Sequence, residues 1–320
     1  MRAGLADSLR TIFDRLDDRF AISPQRRLTL LAEIEAGPVR PGVFGVYVDL
    51  VLALFEERLA DGQSLLTELL DTSSKAGPLR VVNLDDRQLG TGQSARYRRL
   101  VGCDILAEIN PVEGEAFAEA AELVTAAMEL LRDGAPEVLA EFRALIRELV
   151  LISVARGTDG LLVGGASTFS LWGAQILNAD RLCDRLTTAV SLAHETAHTY
   201  LFGLARGGRL VDNDDDERHA SPLRREPRPM EGVAHATFVL ARMIYVLEAL
   251  IGSGRLRPEE VPQAHNQLRH SQEAFDDGLA TVLAHARFTP AGAAAFAQVQ
   301  RYMHARGQRM AWRQRGFGGR

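Results

Sequence analysis

His194, Glu195, Thr196, Ala197 and His198 spell HETAH, an HExxH pattern that constrains this chain more than any other feature. Residues i and i+4 of an α-helix share a face, so the two imidazoles can reach one divalent cation while Glu195 points beside them. The geometry requires a helix, and the flanking residues supply one. Leu186, Val190, Ala193, Ala197, Leu201 and Leu204 make an apolar stripe at helical spacing, and Gly207 with Gly208 stand where a helix stops. The pattern therefore predicts a buried helix of about 20 residues carrying a metal site. With 8 histidines in 320 residues, chance yields roughly 0.01 such patterns, so a coincidental pair of core histidines is the weaker explanation.

A chain of 320 residues that is 46% hydrophobic can bury a large core. We expect a catalytic region at 146–320 and a helical N-terminal region at 1–145 that acts as scaffold or as a surface for recognising a substrate. The net charge of -5 comes with no extended basic surface, which argues against nucleic acid as a partner. Cys103 and Cys183, the only two cysteines, are too isolated for a disulfide framework or a cysteine-based zinc site. Arg10, Asp14, Arg15 and Asp17 interrupt the amphipathic N-terminus, so it lacks the apolar segment of a signal peptide. No run approaches the roughly 18 apolar residues of a membrane span. These features lead us to expect a cytoplasmic protein.

Up to about residue 80 the apolar rhythm is helical, through Leu28, Leu31 and Ile34 and again through Val48, Val51, Leu54, Phe55 and Leu59, with breaks at Pro38, Pro41 and Gly62. Leu79 to Leu84 and Cys103 to Ile109 read as strands, and Gly114 to Arg132 and Pro136 to Leu149 as helices. Gly90 and Gly92 read as a turn, without a phosphate-loop pattern. Leu149 to Ala155 and Thr168 to Leu177 are β-branched and apolar around the glycine-rich GTDGLLVGGAS. Two strands leading into the HExxH helix predict an α+β, mostly helical fold with a zincin-like arrangement, the HExxH helix lying under a small sheet. A loop from Gly207 to Arg228 should follow, then an apolar helix opened by Pro229 and ended near Gly252, and further helices.

Two histidines leave a catalytic metal site incomplete, since such sites add a third protein ligand. Glu231 and His235, again i and i+4 on the helix after Pro229, are the two candidates. His219, His265, His270, His285 and His304 read as surface or core histidines. The acidic run from Asp212 to Glu217 fails the EF-hand template, because Glu217 and Leu223 occupy its glycine and glutamate positions, so it reads as a solvated loop. Arg224, Arg225 and Arg228 lie within five residues of one another. An arginine can clamp a carboxylate bidentately, and at a pocket mouth these would suit a dicarboxylate. The basic tail from Arg301 to Arg320 reads as a solvated helix end.

The blocks GAQILN, LAHETAH and SPLRREPRPMEGVAHATF resemble the HExxH-domain proteins associated with ribosomally made, post-translationally modified peptides, which are 2-oxoglutarate-dependent peptide β-hydroxylases. The resemblance covers about residues 165–245. It implies iron(II), 2-oxoglutarate and dioxygen, a precursor peptide hydroxylated at a β-carbon, and modification enzymes as possible partners. It also implies His194, His198 and His235 as metal ligands, with Arg228 and, as second choice, Arg224 near the co-substrate. Glu231 departs from the family pattern. The alternative from the residues alone is a zinc metallopeptidase, with Glu231 as third ligand and Glu195 as the general base that takes a proton from zinc-bound water.

Overall fold

The helical rhythm of the N-terminal region becomes four helices: α1 (Arg2–Leu16), α2 (Pro24–Ala36), α3 (Pro41–Phe55) and α4 (Leu59–Asp71). Pro24 and Pro41 stand at first helical positions, where the missing N–H has no intrahelical partner to lose. The computed structural model describes residues 1–16, 20, 22–105, 108–154, 164–206 and 208–316, giving backbone alone for Arg225, 102–105 and 307–316. After α4 come β1 (Arg80–Asn83), α5 (Asp86–Leu89), α6 (Gln93–Ile105), β2 (Ile109–Asn110), α7 (Gly114–Gly134) and α8 (Pro136–Leu145). Then follow β3 (Glu148–Val154), β4 (Gly165–Ala166), β5 (Ala174–Asn178) and α9 (Arg185–Leu204), the helix that carries HETAH. The hairpin β6 (Arg218–Ser221) and β7 (Arg224–Pro229) precedes α10 (Met230–Ser253), α11 (Glu260–His285) and α12 (Pro290–Gly316). With about 68% of the chain helical and a small sheet, the class is α+β, mostly helical.

Two compact units divide the chain: residues 1–129 with 139–199, and residues 130–138 with 200–320. In the first, β1, β3 and β5 are parallel, and β4 lies antiparallel to β5 at the edge. Every residue of β5 is buried, as are the first five of β3, as expected of strands covered on both faces. Val150, Ile152 and Ile176 join Tyr97 and Val101 of α6 in one apolar cluster, while Leu9, Ile34, Leu50, Leu66 and Leu69 pack the helical region.

Three expectations are corrected. Cys103 to Ile109 is not a strand: α6 continues to Ile105, because buried Tyr97 and Val101 set a helical period, and only Ile109–Asn110 pairs with β3. Residues 106–107 lie outside the described residues. Thr168 to Leu177 is not continuous either. A short 3-10 turn, Phe169–Leu171, and Gly173 at φ +91° break it, and β5 starts at Ala174. Most of the glycine-rich stretch, 155–163, lies outside the described residues, as does Gly207. The third correction concerns the loop expected to run to Arg228. Pro222 and Leu223 form a turn, the flanking residues pair as β6 and β7, and Arg224 and Arg228 sit on a strand.

In the second unit Leu201, Phe238, Ile244, Phe275, Val282 and Phe296 are the centre of the core. Pro229 caps α10, and Gly254 at φ +69° ends it in the left-handed conformation that glycine favours. By length and mean hydropathy, 1.5, α10 resembles a membrane span, but Glu231, Arg242 and Glu248 interrupt it and 56% of that window is buried. Its apolarity is therefore matched by packing inside the unit, where Thr237 lies against Gly278 of α11.

Candidate metal centre

Asp184, just before α9, accepts hydrogen bonds from the Thr187 amide at 2.8 Å and the Thr187 hydroxyl at 2.8 Å, which fixes the start of the helix. Gln175 of β5 donates to the Leu192 carbonyl at 3.1 Å and ties the sheet to the turn that presents His194. One turn apart, His194 and His198 face each other with their Nε2 atoms 3.3 Å apart and ring centroids 5.0 Å apart. Two histidine nitrogens each about 2.1 Å from one cation stand about 3.0 Å apart at a right angle and about 3.4 Å apart at the tetrahedral angle. The pair fits a single ion. Burial pushes the His194 imidazole down to about 4, so it is neutral at pH 7.

Glu195 is turned toward the edge strand. Its Oε2 accepts from the Ser167 hydroxyl at 2.9 Å, while Oε1 stands 3.9 Å from His194 Nε2. Burial pushes the carboxyl up to about 7, against a smaller opposing effect of the Ser167 bond. A Cβ on Gly165 would lie 2.9 Å from Glu195 Oε1 and 2.8 Å from the Ile176 carbonyl, so only glycine lets β4 lie this close. Gly165 and Ser167 were not singled out from sequence. The glycines of GTDGLLVGGAS were the available signal, because a glycine in a strand marks a close backbone approach.

The other candidates lie in the second unit. Glu231 accepts from the Leu210 and Val211 amides at 3.1–3.2 Å, and its Oε1 is 3.5 Å from His235 Nε2. Burial opposes its ionisation, but the His235 and backbone hydrogen bonds prevail and hold it below the usual carboxylate range. Phe202 packs 5.5 Å from the His235 ring. Arg228 is half-buried on β7 with its guanidinium against Gly232, and among the described residues no carboxylate or hydrogen-bond partner meets it. Burial first, and Arg224 second, push its pKa down. Arg224 is exposed.

The acidic run is tied to protein rather than arranged as a cage. Glu217 pairs with Arg287 at 2.6 Å and accepts from Asn213 at 3.0 Å, and chiefly the Arg287 bond holds it down at about 2. His219 stacks on His285 at 4.9 Å. Within each unit, among the described residues, no group of three or more His, Cys, Asp or Glu side chains is gathered around one point. The structure thus pairs His194 with His198, and Glu231 with His235. Scanned against protein-family models the chain has no match, and a search of curated proteins finds no relative.

Proposed function

We propose that this chain is a non-haem iron(II), 2-oxoglutarate-dependent oxygenase that hydroxylates the β-carbon of a side chain in a ribosomally made peptide. The observation that carries the reading is Arg228, a half-buried cation with no acidic partner among the described residues. An unpaired, partly desolvated guanidinium is costly without an anion, and the distal carboxylate of 2-oxoglutarate is a fitting one. His194 and His198 are the metal ligands. His235 is proposed as the third from its resemblance to the family, and Glu231 orients its ring as carboxylates orient ligand histidines elsewhere. Arg224 is the second-choice cation. Iron(II) with 2-oxoglutarate and dioxygen supplies the oxidising power for a C–H to C–OH conversion, leaving succinate and carbon dioxide.

The antiparallel edge strand β4 beside the metal helix supports a zincin-like arrangement, with Glu195 holding strand and helix together through Ser167. We place the protein in the cytoplasm, acting on a precursor peptide, alone or with partner modification enzymes. A zinc metallopeptidase is the second reading. It is favoured by Glu195, whose carboxyl titrates near 7 beside His194 and could accept a proton at Oε1. Glu231 would then be the third ligand, at the expense of its bonds to Leu210 and Val211. Elemental analysis after anaerobic purification, followed by assay of succinate formation, tests the proposal. Iron with 2-oxoglutarate-dependent succinate supports it. Zinc with peptide cleavage and no succinate replaces it with the second reading.

A further inference from the structure

On the hairpin of the second unit, β6 alternates exposed and half-buried residues, so His219 and Ser221 are its inward residues, with a shift in the pairing register between them. Arg228 is the register partner of His219 on β7, and cross-strand partners present their side chains on one face. That face is covered by helices: Arg228 lies against Gly232 of α10, His219 stacks on His285 of α11, and Pro222 lies against Gly278 of α11. Three polar groups there lack hydrogen-bond partners among the described residues. Ser221 Oγ and His219 Nε2 are buried without a hydrogen bond, and Arg228 has neither a hydrogen bond nor an ion pair among the described residues. Buried polar atoms are ordinarily satisfied, so this concentration on one face requires an explanation. The nearest acid, Glu217, has its Oε2 3.7 Å from His219 Nε2, too far for a hydrogen bond, and is engaged by Arg287 and Asn213.

We infer that Arg228, Ser221 and His219 form a carboxylate-binding shelf on the inner face of the β6–β7 hairpin. Arg228 supplies the charge, the Ser221 hydroxyl a neutral donor, and His219 a ring N–H. The ligand class is a small dicarboxylate, one end of which the shelf would hold. The inference rests on the proposed co-substrate, to which it adds Ser221 and His219 as specificity-determining residues.

Succinate is the probe, since it lacks the keto-acid end of 2-oxoglutarate and can be titrated calorimetrically into metal-free protein. Arg228→Gln should weaken succinate binding about tenfold or more, and Ser221→Ala and His219→Gln about threefold each. Arg218→Gln, on the exposed face of β6, should leave it within about 1.5-fold, which separates the shelf from a general charge effect. Should Arg228→Gln fail to fold, a succinate-dependent shift of the Arg228 Nε–H resonance in the wild-type protein gives the same information. Equal affinity in wild type, Ser221→Ala and His219→Gln would overturn the shelf, as would no succinate binding by the wild type. Turnover of 2-oxoglutarate by a protein that fails those tests would leave the oxygenase reading standing. Succinate held by the shelf without such turnover would remove the oxygenase reading and keep the site.

Discussion

Helices α9 and α10 each carry a glutamate and histidine within one turn, yet the two carboxylates are in opposite electrostatic states. Glu195 receives one hydroxyl bond, lies 3.9 Å from the neutral His194 imidazole and is buried, and the burial raises its pKa to about 7. Glu231 receives two backbone amides and lies beside an imidazole, which lowers its pKa despite burial. Their difference teaches that a carboxylate's role follows from which groups donate to it: Glu195 remains able to exchange a proton, while Glu231 is fixed as a structural anion beside His235.

The strongest challenge to this contrast is at the histidines. His194→Ala and His198→Ala should each weaken metal binding by more than about a hundredfold, measured by elemental analysis and competition with a chelator. His235→Ala should also lose the metal, whereas Glu231→Ala should keep it. The reverse outcome for the α10 pair would make Glu231 the ligand and support the peptidase reading.

Next in size is the pH dependence of stability in metal-free protein. Glu195 binds its proton more tightly folded, at about 7, than at its ordinary 4.5, so its contribution to stability falls as pH rises through that interval. His194 binds its proton less tightly folded, at about 4 against 6.5, so its contribution rises with pH over that interval. Between 4.5 and 6.5 the two slopes oppose each other. Glu195→Gln should expose the histidine slope, up to about 1.4 kcal/mol per pH unit, and stabilise the protein at pH 8 by on the order of 3 kcal/mol. Urea denaturation across the pH range measures both effects. An unchanged profile would mean that Glu195 is not desolvated.

A smaller loss, about 2 kcal/mol, is expected for Glu231→Ala, because the Leu210 and Val211 amides lose their acceptor. No loss of stability on denaturation would show that water replaces the carboxylate there, and the contrast between the helices would weaken. Smallest is Gly165→Ala, about 1–2 kcal/mol, since the new methyl group meets the Ile176 carbonyl and Glu195 Oε1. Its sharper readout is the Glu195 titration. If that is unaltered, β4 does not hold the carboxylate in place.

Much of this arrangement was readable beforehand because it is local. HETAH and its apolar stripe specify a helix and a shared face through the 3.6-residue period, and α9 spans Arg185–Leu204 with both Nε2 atoms directed together. The strand before the helix was readable from the apolar run of β5. Other features were not. The hairpin was hidden because β7, rich in arginine and proline, has little intrinsic strand preference and is held by pairing with β6 and by cover from α10 and α11. Cys103 to Ile105 looked like a strand until packing of Tyr97 and Val101 extended α6 across it.

Residue spacing along one helix is enough to place two imidazoles on a common face, because backbone geometry sets their separation whatever surrounds them. Spacing cannot say which carboxylate is protonated, which half-buried arginine lacks a counter-ion among the described residues, or which serine hydroxyl meets Glu195. Those properties depend on dielectric and on partners brought from elsewhere in the chain: Ser167 to Glu195, Leu210 to Glu231, and His219 opposite Arg228. They are set when strands and helices pack, since that step removes water from each group and determines what replaces it.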